Sequence, residues 1–401
     1  MSGSVVNENS EVYYSGHYWN DLRAVRDLLN RRVSGDPERT WSEHFADRVG
    51  RTFKRALILN CGNGHVERGL VEQGLVAEAI GIDYSDDLLV EARAAAEAAG
   101  LPLRYHQMDV NTVAFPDEPF DLVVNFAAAH HIACIDRVFR RLCELLPDDG
   151  WFVSWDYVGP HRNQYGYEAW DTAWRLNRAL PEAVRQDMRY PHLPTMLVTD
   201  PTEAIHSELI LETFRRYFSV DELVPLGGAI AYPLLTHNEA LFSADGDEQA
   251  PAVAQVLDAD AAFLDAHPGS ELFAYFAGTP DKAVLEHHDD LARWRAEEDQ
   301  REAAAEQTGE YYPHTALQDL MLELEDQRIA TLHARTDLDR TRDELAEARD
   351  QRDEALARLE HPLRELTRHE LRRVAHSPIG QRLLDNPTVS SAADTARRRL
   401  G

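Results

Sequence analysis

Between residues 50 and 160, apolar side chains come in short continuous runs, and stretches with helical spacing separate these runs. Five of the runs have the length of a strand; they span 55–60, 76–83, 103–109, 119–128 and 150–158. Strands that are apolar on both faces are typical of a parallel sheet that helices cover on both sides. We therefore predict an open, doubly wound α/β domain whose ligand site lies at the carboxyl ends of the strands.

Two later segments predict further strands in the same domain. SVDELVPLGG (219–228) and ELFAYFAGT (271–279) alternate or concentrate apolar residues at strand length. They bring the sheet to seven strands, the last of them antiparallel and inside the sheet. Residues 166–215 are rich in Trp, Tyr, Arg and His, and we predict that they form a helical cap inserted into a domain spanning 1–285.

A seven-residue repeat replaces this pattern toward the end of the chain. Leucines recur at the first heptad position from 317 to 359, and mostly small residues follow three positions later. Arginines occupy the e positions 328, 335, 342 and 349, while acidic residues occupy the g positions 323, 337 and 344. Parallel packing pairs these opposite charges, whereas antiparallel packing sets arginine against arginine. We predict a helical linker over 286–314 and a long parallel coiled coil over 315–360; a single solvated helix is the alternative, and dimer against trimer stays open.

The last segment, 361–401, has the opposite charge, with arginines surrounding an apolar stripe of Leu363, Leu366, Leu371 and Val374. This pattern predicts a basic amphipathic tail. Three partners stay open for it: an anionic membrane, an acidic protein and the acidic coil of the same chain.

The overall charge limits the classes of partner. The chain carries 70 acidic and 41 basic side chains, a net charge of −29, which repels the phosphates of a nucleic acid. We therefore expect no nucleic-acid partner. Without a bilayer-spanning apolar stretch or a signal-peptide pattern, we expect a cytoplasmic location, with the tail allowing contact with the inner face of the membrane. Cysteine spacing and the adjacent pairs Asp148–Asp149 and His287–His288 predict no metal site.

The turn NCGNGH (60–65) follows the first predicted strand and carries two glycines, Gly62 and Gly64. Glycines at this position let the backbone approach a nucleotide-like ligand. A triphosphate loop would need a lysine, and a dinucleotide loop would need a glycine at position 67, where Glu67 disfavours a pyrophosphate. A cationic ligand that carries an adenosine, S-adenosylmethionine (SAM), fits this turn better.

Two aspartates at later strand ends support this ligand. Asp83 lies about twenty residues beyond the turn, where its carboxylate can accept hydrogen bonds from both ribose hydroxyls. Asp109 follows the third strand, where it can accept from the exocyclic amine of adenine. Each aspartate alone is also explained as a helix cap.

Five segments in this order resemble the motifs of class I SAM-dependent methyltransferases. They are LILNCGNGHVERGL, GIDYS, YHQMDVN, FDLVVNFAAAHHI and LLPDDGWFVSWDY. The resemblance covers residues 50–160 and extends more loosely to 285, and it implies a Rossmann-like fold with SAM as the cofactor. Asn60 stands where the family has an acidic residue, and Val66 stands where it has a third glycine.

The resemblance also implies roles for particular residues around the cofactor. The set it implies is Asn60, Gly62 and Gly64 at the methionine end, Asp83 on the ribose, Tyr84 and Met108 on the adenine faces, Asp109 and Val110 at the adenine edge, and Asn125 and Phe126 beside the sulfonium. In many members of the family an N-terminal segment closes over the cofactor, and here Tyr14 and Trp19 can present ring faces to its positive charge. A hydrophobic clasp on the domain surface is the alternative for these two aromatic residues.

Methyl transfer requires a positioned acceptor and often a proton acceptor. The catalytic candidates follow the fourth and fifth strands: His130, His131, Asp156 and His161. An imidazole packed against the cofactor or a helix is the alternative for the histidines. The loop after the fifth strand adds polar and aromatic side chains typical of a carbohydrate or small polar substrate site, namely Tyr157, Arg162, Gln164 and Tyr165; a solvated loop is the alternative.

These observations predict a SAM-dependent methyltransferase that methylates an oxygen of a sugar, a glycan end or a related polar metabolite. A methyltransferase followed by a coiled coil and a basic end resembles the architecture of enzymes that cap or terminate surface polysaccharides. Two alternatives stay open: a methyltransferase for small natural products, and a catalytically inert scaffold organised by the coil.

Overall fold

The computed structural model describes residues 16–193, 196, 200, 202–286, 329–336, 338–352, 370, 372–373, 376–378 and 381–382. The chain divides into two units, Met1–Gln327 and Arg328–Gly401. The first unit is an α/β domain, and the described part of the second is helical.

One seven-stranded sheet forms the centre of the first unit, in the order β3-β2-β1-β4-β5-β7-β6. Its strands are β1 (Phe53–Leu59), β2 (Val76–Asp83), β3 (Leu103–Gln107), β4 (Leu122–Phe126), β5 (Trp151–Tyr157), β6 (Phe218–Gly227) and β7 (Phe273–Pro280). Strands β1 to β5 pair in parallel, and β7 pairs antiparallel with both β5 and β6. The sequence-based prediction of seven strands with the last one antiparallel inside the sheet is confirmed.

Helices alternate with the strands as in a doubly wound sheet, except between β3 and β4, where a short 3-10 turn makes the connection. They are α1 (Arg23–Ser34), α2 (Trp41–Val49), α3 (His65–Glu72), α4 (Asp86–Ala99), α5 (Ile135–Leu145), α6 (Tyr167–Ala179), α7 (Ile210–Tyr217), α8 (Ala231–Leu235), α9 (Glu239–Ser243), α10 (Gly246–Ala266) and α11 (Ala283–Glu286). Their starts follow local chemistry: the Ser85 hydroxyl accepts from the N–H of Leu88 before α4, and Thr40 with Glu43 forms a capping box before α2.

The core lies where the middle strands meet α5 and α7. Leu57, Val123 and Phe152 from three adjacent strands pack with Phe139 of α5 and Phe214 of α7, and all five are fully buried. Because successive residues of a strand face opposite sides, the uninterrupted apolar runs supply this core and a second layer on the other face. The central strands are thereby fixed, and their carboxyl ends form a stable edge for polar residues.

The predicted third strand ends earlier than its sequence pattern indicates. β3 stops at Gln107, because the Asp109 carboxylate accepts the N–H of Asn111 at 2.9 Å and caps a short 3-10 turn, Val110–Thr112. Met108 and Asp109 therefore lie in the loop after the strand.

The described parts of the predicted coiled coil, 329–336 and 338–352, are helical. Within them Leu338 and Leu345, which share the first heptad position, are 51% and 50% exposed. Three predicted segments lie wholly or mostly outside the described residues. They are the helical linker 286–314 except residue 286, the other parts of the coiled coil 315–360, and most of the tail 361–401. Pairing with a second chain remains a prediction. Among the residues that the structure describes, none of the helices combines the length and the hydrophobicity that a bilayer crossing needs.

Candidate functional site

The turn after β1 is joined to the end of β2 by a buried carboxylate. Asp83 accepts the N–H of Gly62 through Oδ2 and the N–H of Ser85 through Oδ1, both at 2.8 Å. Asn60, Gly62 and Gly64 have φ angles of 43°, 57° and 78°, so the turn uses left-handed backbone that favours glycine. Burial raises the pKa of Asp83, and the three N–H groups that point at it oppose this rise.

The close approach at Gly64 is to the protein itself. A Cβ atom at this position would lie 2.5 Å from the Tyr105 hydroxyl and 2.9 Å from Oε1 of Glu67. Glu67 is fully buried behind the turn, and neither of its carboxylate oxygens has a hydrogen-bond partner among the described residues. The expectation that Glu67 faces the ligand is therefore wrong, since the first turn of α3 directs it toward β3.

Glu67 is expected to make the stability of the fold depend on pH. Burial raises its pKa from 4.5 to about 7. Between these values the unfolded chain has released a proton that the folded chain still holds, so stability falls as pH rises from about 4.5 to 7, by roughly 3 kcal/mol. Urea unfolding of Glu67→Gln at a series of pH values should show its advantage over the unsubstituted chain growing across this window.

The matched control is Glu72→Gln at the exposed end of the same helix, which should follow the unsubstituted chain at every pH. A constant free-energy difference between Glu67→Gln and the unsubstituted chain would contradict the assignment.

The predicted adenine contacts gather at the ends of β2 and β3. The Met108 N–H donates to the Asp83 carbonyl at 2.8 Å, and the Gln107 amide donates to the Tyr84 carbonyl at 3.1 Å. Tyr84, Met108 and Asp109 are half-buried, as residues at the rim of a cleft are. Val110 is instead buried in the core, so the expectation that it reaches the adenine edge is not met.

Asn125 does not face the ligand edge as the resemblance implied. It is fully buried at the end of β4, where its Nδ2 donates to the Ser154 hydroxyl at 2.8 Å and to Oδ2 of Asp156 at 2.6 Å. Its neighbour Phe126 is half-buried and stacks with Trp155 at 5.4 Å between ring centroids. The alternation of β4 directs one residue inward and leaves the next at the edge.

An aromatic residue does cover this edge, but it is Trp41. Its ring stacks on Phe126, with centroids 5.8 Å apart, from the first turn of α2. The sequence contains a signal for this position of Trp41. Thr40 and Glu43 have the spacing of a capping box, which places Trp41 at the start of a helix. Trp19 is 1% exposed and packs against Phe273 and Tyr232, so it belongs to the core, and Tyr14 lies outside the described residues.

Asp156 lies beneath the site and supports it. Its carboxylate is fully buried and accepts from the N–H groups of Ala128 and Ala129 and from Nδ1 of His130, the last at 2.5 Å. Burial alone would lower the pKa of His130, but Asp156 outweighs it and raises this pKa to about 9. The prediction that Asp156 contacts the acceptor is wrong, because the Asp156 carboxylate is buried and its oxygens accept hydrogen bonds from the protein.

A carboxylate that sequence reasoning missed completes the cluster. Oε2 of Glu203 lies 3.9 Å from Nε2 of His130 and 3.8 Å from Nε2 of His131. The two imidazole rings are 4.2 Å apart. Burial lowers the pKa of His131, and the neighbouring His130 lowers it further. Glu203 comes from the insertion between β5 and β6, and no spacing in the sequence relates it to strand four.

The loop after β5 is mostly packed into the protein. Tyr157 and Arg162 are buried, and Tyr165, also buried, stacks on Trp170 with centroids 6.0 Å apart. Gln164 donates to main-chain carbonyls, and His161 stacks on His206. Four of the predicted substrate or catalytic side chains thus hold the insertion in place, and His161, half-buried, stays at its surface.

Comparisons with known proteins find similarity in the part of the chain that contains the glycine turn. Residues 56–150 match a family model described as a methyltransferase domain. A demethylmenaquinone methyltransferase from Thermus thermophilus is 30% identical over 141 residues, which is 35% of this chain and 64% of that protein. A ubiquinone biosynthesis O-methyltransferase from Azorhizobium caulinodans is 29% identical over 131 residues, 32% of this chain and 47% of that protein. The chain thus spans less than two thirds of either relative.

The matched segment runs from β1 to the start of β5 and contains the glycine turn, Asp83 and both histidines. Residues 56–150 are therefore similar to a methyltransferase domain. The crystal structure of the YcgJ protein from Bacillus subtilis, 17% identical, aligns with 60% of this chain and 97% of its own at a TM-score of 0.36. The glycine turn and the two strand-end aspartates predict SAM as the cofactor.

The residues present fit this cofactor. The Asp83 carboxylate has about four acceptor positions and receives the N–H groups of Gly62, Ser85 and Tyr84, so it can still accept a hydrogen bond from a ribose hydroxyl. The turn from Asn60 to Gly64 lies directly beside this carboxylate, so the methyltransferase domain presents both at one edge.

Proposed function

We propose that the chain is an O-methyltransferase that uses SAM and acts on a small polar acceptor such as a sugar, a glycan end or a related hydroxylated metabolite. The observation that carries the proposal is the polar cluster of His130, His131 and Glu203 beside the cofactor edge. Its side chains are only 11%, 19% and 28% exposed, so they form a recessed polar site.

The residues that would hold the cofactor are the turn from Asn60 to Gly64 and the carboxylate of Asp83. When bound, SAM supplies a methyl group on a positively charged sulfur that leaves as a neutral thioether. The aromatic pair Trp41 and Phe126 provides ring faces at the same edge, and such faces attract a cation.

The acceptor side of the proposal rests on the polarity of the cluster. Two imidazoles and a carboxylate can each hydrogen-bond to a hydroxyl, and Glu203 has the most access to solvent. Two of the curated relatives are, by name, a demethylmenaquinone methyltransferase and a ubiquinone biosynthesis O-methyltransferase, so a small-molecule acceptor is in keeping with these comparisons. Hydroxylated quinones are therefore the second acceptor class.

Two measurements test the proposal in sequence. Calorimetry should show SAM binding with one site per chain, and NAD should not compete. Transfer of labelled methyl groups should then be measured on a panel of sugars, glycan ends and hydroxylated quinones. Methyl transfer to quinones alone would show that the acceptor is a hydroxylated quinone and not a sugar or glycan. SAM binding without methyl transfer to any acceptor would favour a catalytically inert scaffold.

We further propose that the predicted coiled coil over residues 315–360 associates in parallel with a second copy. In Leu338→Asp/Leu345→Asp, two exposed leucines of the apolar seam become charged, and burying them in a coil would then cost several kcal/mol. Light scattering after gel filtration is expected to show the mass falling to that of one chain. Asp350→Asn, on the outer face of the same helix, is the control and should keep the mass of the assembly.

A further inference from the structure

The cluster beside the cofactor edge has the composition of a metal site. One ligand atom from each of His130, His131 and Glu203 lies within 4.8 Å of the other two. The carboxylate oxygen of Glu203 is 3.9 Å and 3.8 Å from the two Nε2 atoms. Histidines adjacent in sequence usually diverge, but here a 3-10 turn, Ala129–His131, brings both rings to the same side.

The outer nitrogen of each imidazole is held by a polar partner. Nδ1 of His130 lies 2.5 Å from Oδ1 of Asp156, and Nδ1 of His131 lies 3.2 Å from the Thr202 hydroxyl. That hydroxyl donates in turn to Asp200 at 2.9 Å. Metal-binding histidines are oriented in this way, with one nitrogen fixed by a carboxylate or hydroxyl and the other directed at the ion.

The three ligand atoms leave room for a further ligand. The site is closed on the Asp156 side, which is fully buried, and is most open at Glu203. Catalytic zinc sites with two histidines and one glutamate keep a position for water or substrate in the same manner.

We propose that His130, His131 and Glu203 bind a divalent transition-metal ion whose open position takes an oxygen of the acceptor. Two imidazoles among three ligands favour Zn²⁺, Co²⁺ and related ions over Mg²⁺ and Ca²⁺, which prefer oxygen ligands alone. Bonds of about 2.0–2.2 Å around a tetrahedral ion would place the ligand atoms roughly 3.3–3.5 Å apart, so the Glu203 carboxylate would close by about 0.5 Å.

The consequence for the acceptor rests on the proposed function. A hydroxyl bound to such an ion loses its proton to water more readily, because the ion stabilises the oxygen anion. A second oxygen next to the hydroxyl would chelate the ion by adding a fifth coordination position, which catalytic zinc sites allow, so the structure favours vicinal diols, hydroxy acids and catechol-like rings.

The test is a Co²⁺ titration of the full chain after treatment with a chelator. Binding of one Co²⁺ per chain with visible absorption bands of tetrahedral or five-coordinate cobalt is expected. His131→Ala and Glu203→Gln should each weaken Co²⁺ binding at least tenfold, and Thr202→Val should weaken it by about tenfold through loss of the outer hydrogen bond. His206→Ala, three residues beyond Glu203 and outside the cluster, should leave Co²⁺ affinity unchanged.

Calorimetry with SAM on the same variants shows that they are folded and keeps the two proposals apart. Absence of saturable Co²⁺ binding would overturn the metal proposal, and the cluster would then be an ion pair between protonated His130 and Glu203. Methyl transfer that persists in excess chelator would also overturn it. The metal site stands and the proposed function fails if Co²⁺ binds as described but no hydroxylated acceptor is methylated.

Discussion

Asp83→Asn is expected to weaken SAM binding by about 30- to 150-fold, that is, by roughly 2–3 kcal/mol. The carboxylate oxygens of Asp83 accept the N–H groups of Gly62 and Ser85 separately. An asparagine has only one oxygen, so its amide group must face one of these N–H donors and the glycine turn is displaced. The ribose also loses a charged acceptor. Calorimetric titration with SAM measures the change.

Asp86→Asn is the matched control for this substitution. Asp86 is three residues away in the first turn of α4, is exposed and pairs with Arg93 at the surface. Its SAM affinity should equal that of the unsubstituted chain. If Asp83→Asn bound SAM as tightly as this control, the assignment of the cofactor edge would be wrong.

Asp156→Asn is expected to lower the free energy of unfolding by about 3 kcal/mol. The Asp156 side chain is fully buried and its oxygens accept four N–H groups and the ring nitrogen of His130. The asparagine side chain has the same shape but only one oxygen. At least two of the buried donors around Asp156 would therefore face the NH₂ group of the asparagine. The charged partner of His130 is lost as well. Urea unfolding at constant pH measures the effect.

Asp149→Asn provides the control for Asp156→Asn, since Asp149 is exposed just before β5 and forms a surface ion pair with Arg51. Exposed pairs of this kind contribute at most about 1 kcal/mol. Equal losses of stability in the two variants would show that the network around Asp156 is not a stabilising feature.

The fold was predictable from the sequence because its signals are local. Five apolar runs of strand length, the glycine turn after the first run and the helical patterns that separate most of the runs indicate a parallel, doubly wound sheet. The same reasoning found Asp83, because a carboxylate at the end of β2 lies next to the turn after β1 in any sheet of this order. The histidines after β4 were found for the same reason.

The remainder of the site depends on contacts between distant segments. Glu203 reaches His130 from an insertion whose course no local pattern determines, and it was therefore missed. Asn125 was assigned to the ligand edge by the resemblance to methyltransferases, and Asp156 because it ends a strand. The structure turns them inward, where they bond to one another.

The antiparallel direction of β7 determines which end of the sheet the chain reaches after its last strand. Because β7 runs against its neighbours, Pro280 lies at the end of the sheet where the parallel strands begin, and Lys282 there donates to the last carbonyls of α5. Segments that cover the cofactor edge thus come from before β1 and from between β5 and β6. Acceptor choice can therefore diverge through those connections during evolution, while the end of the sheet that holds Pro280 and Lys282 stays unchanged.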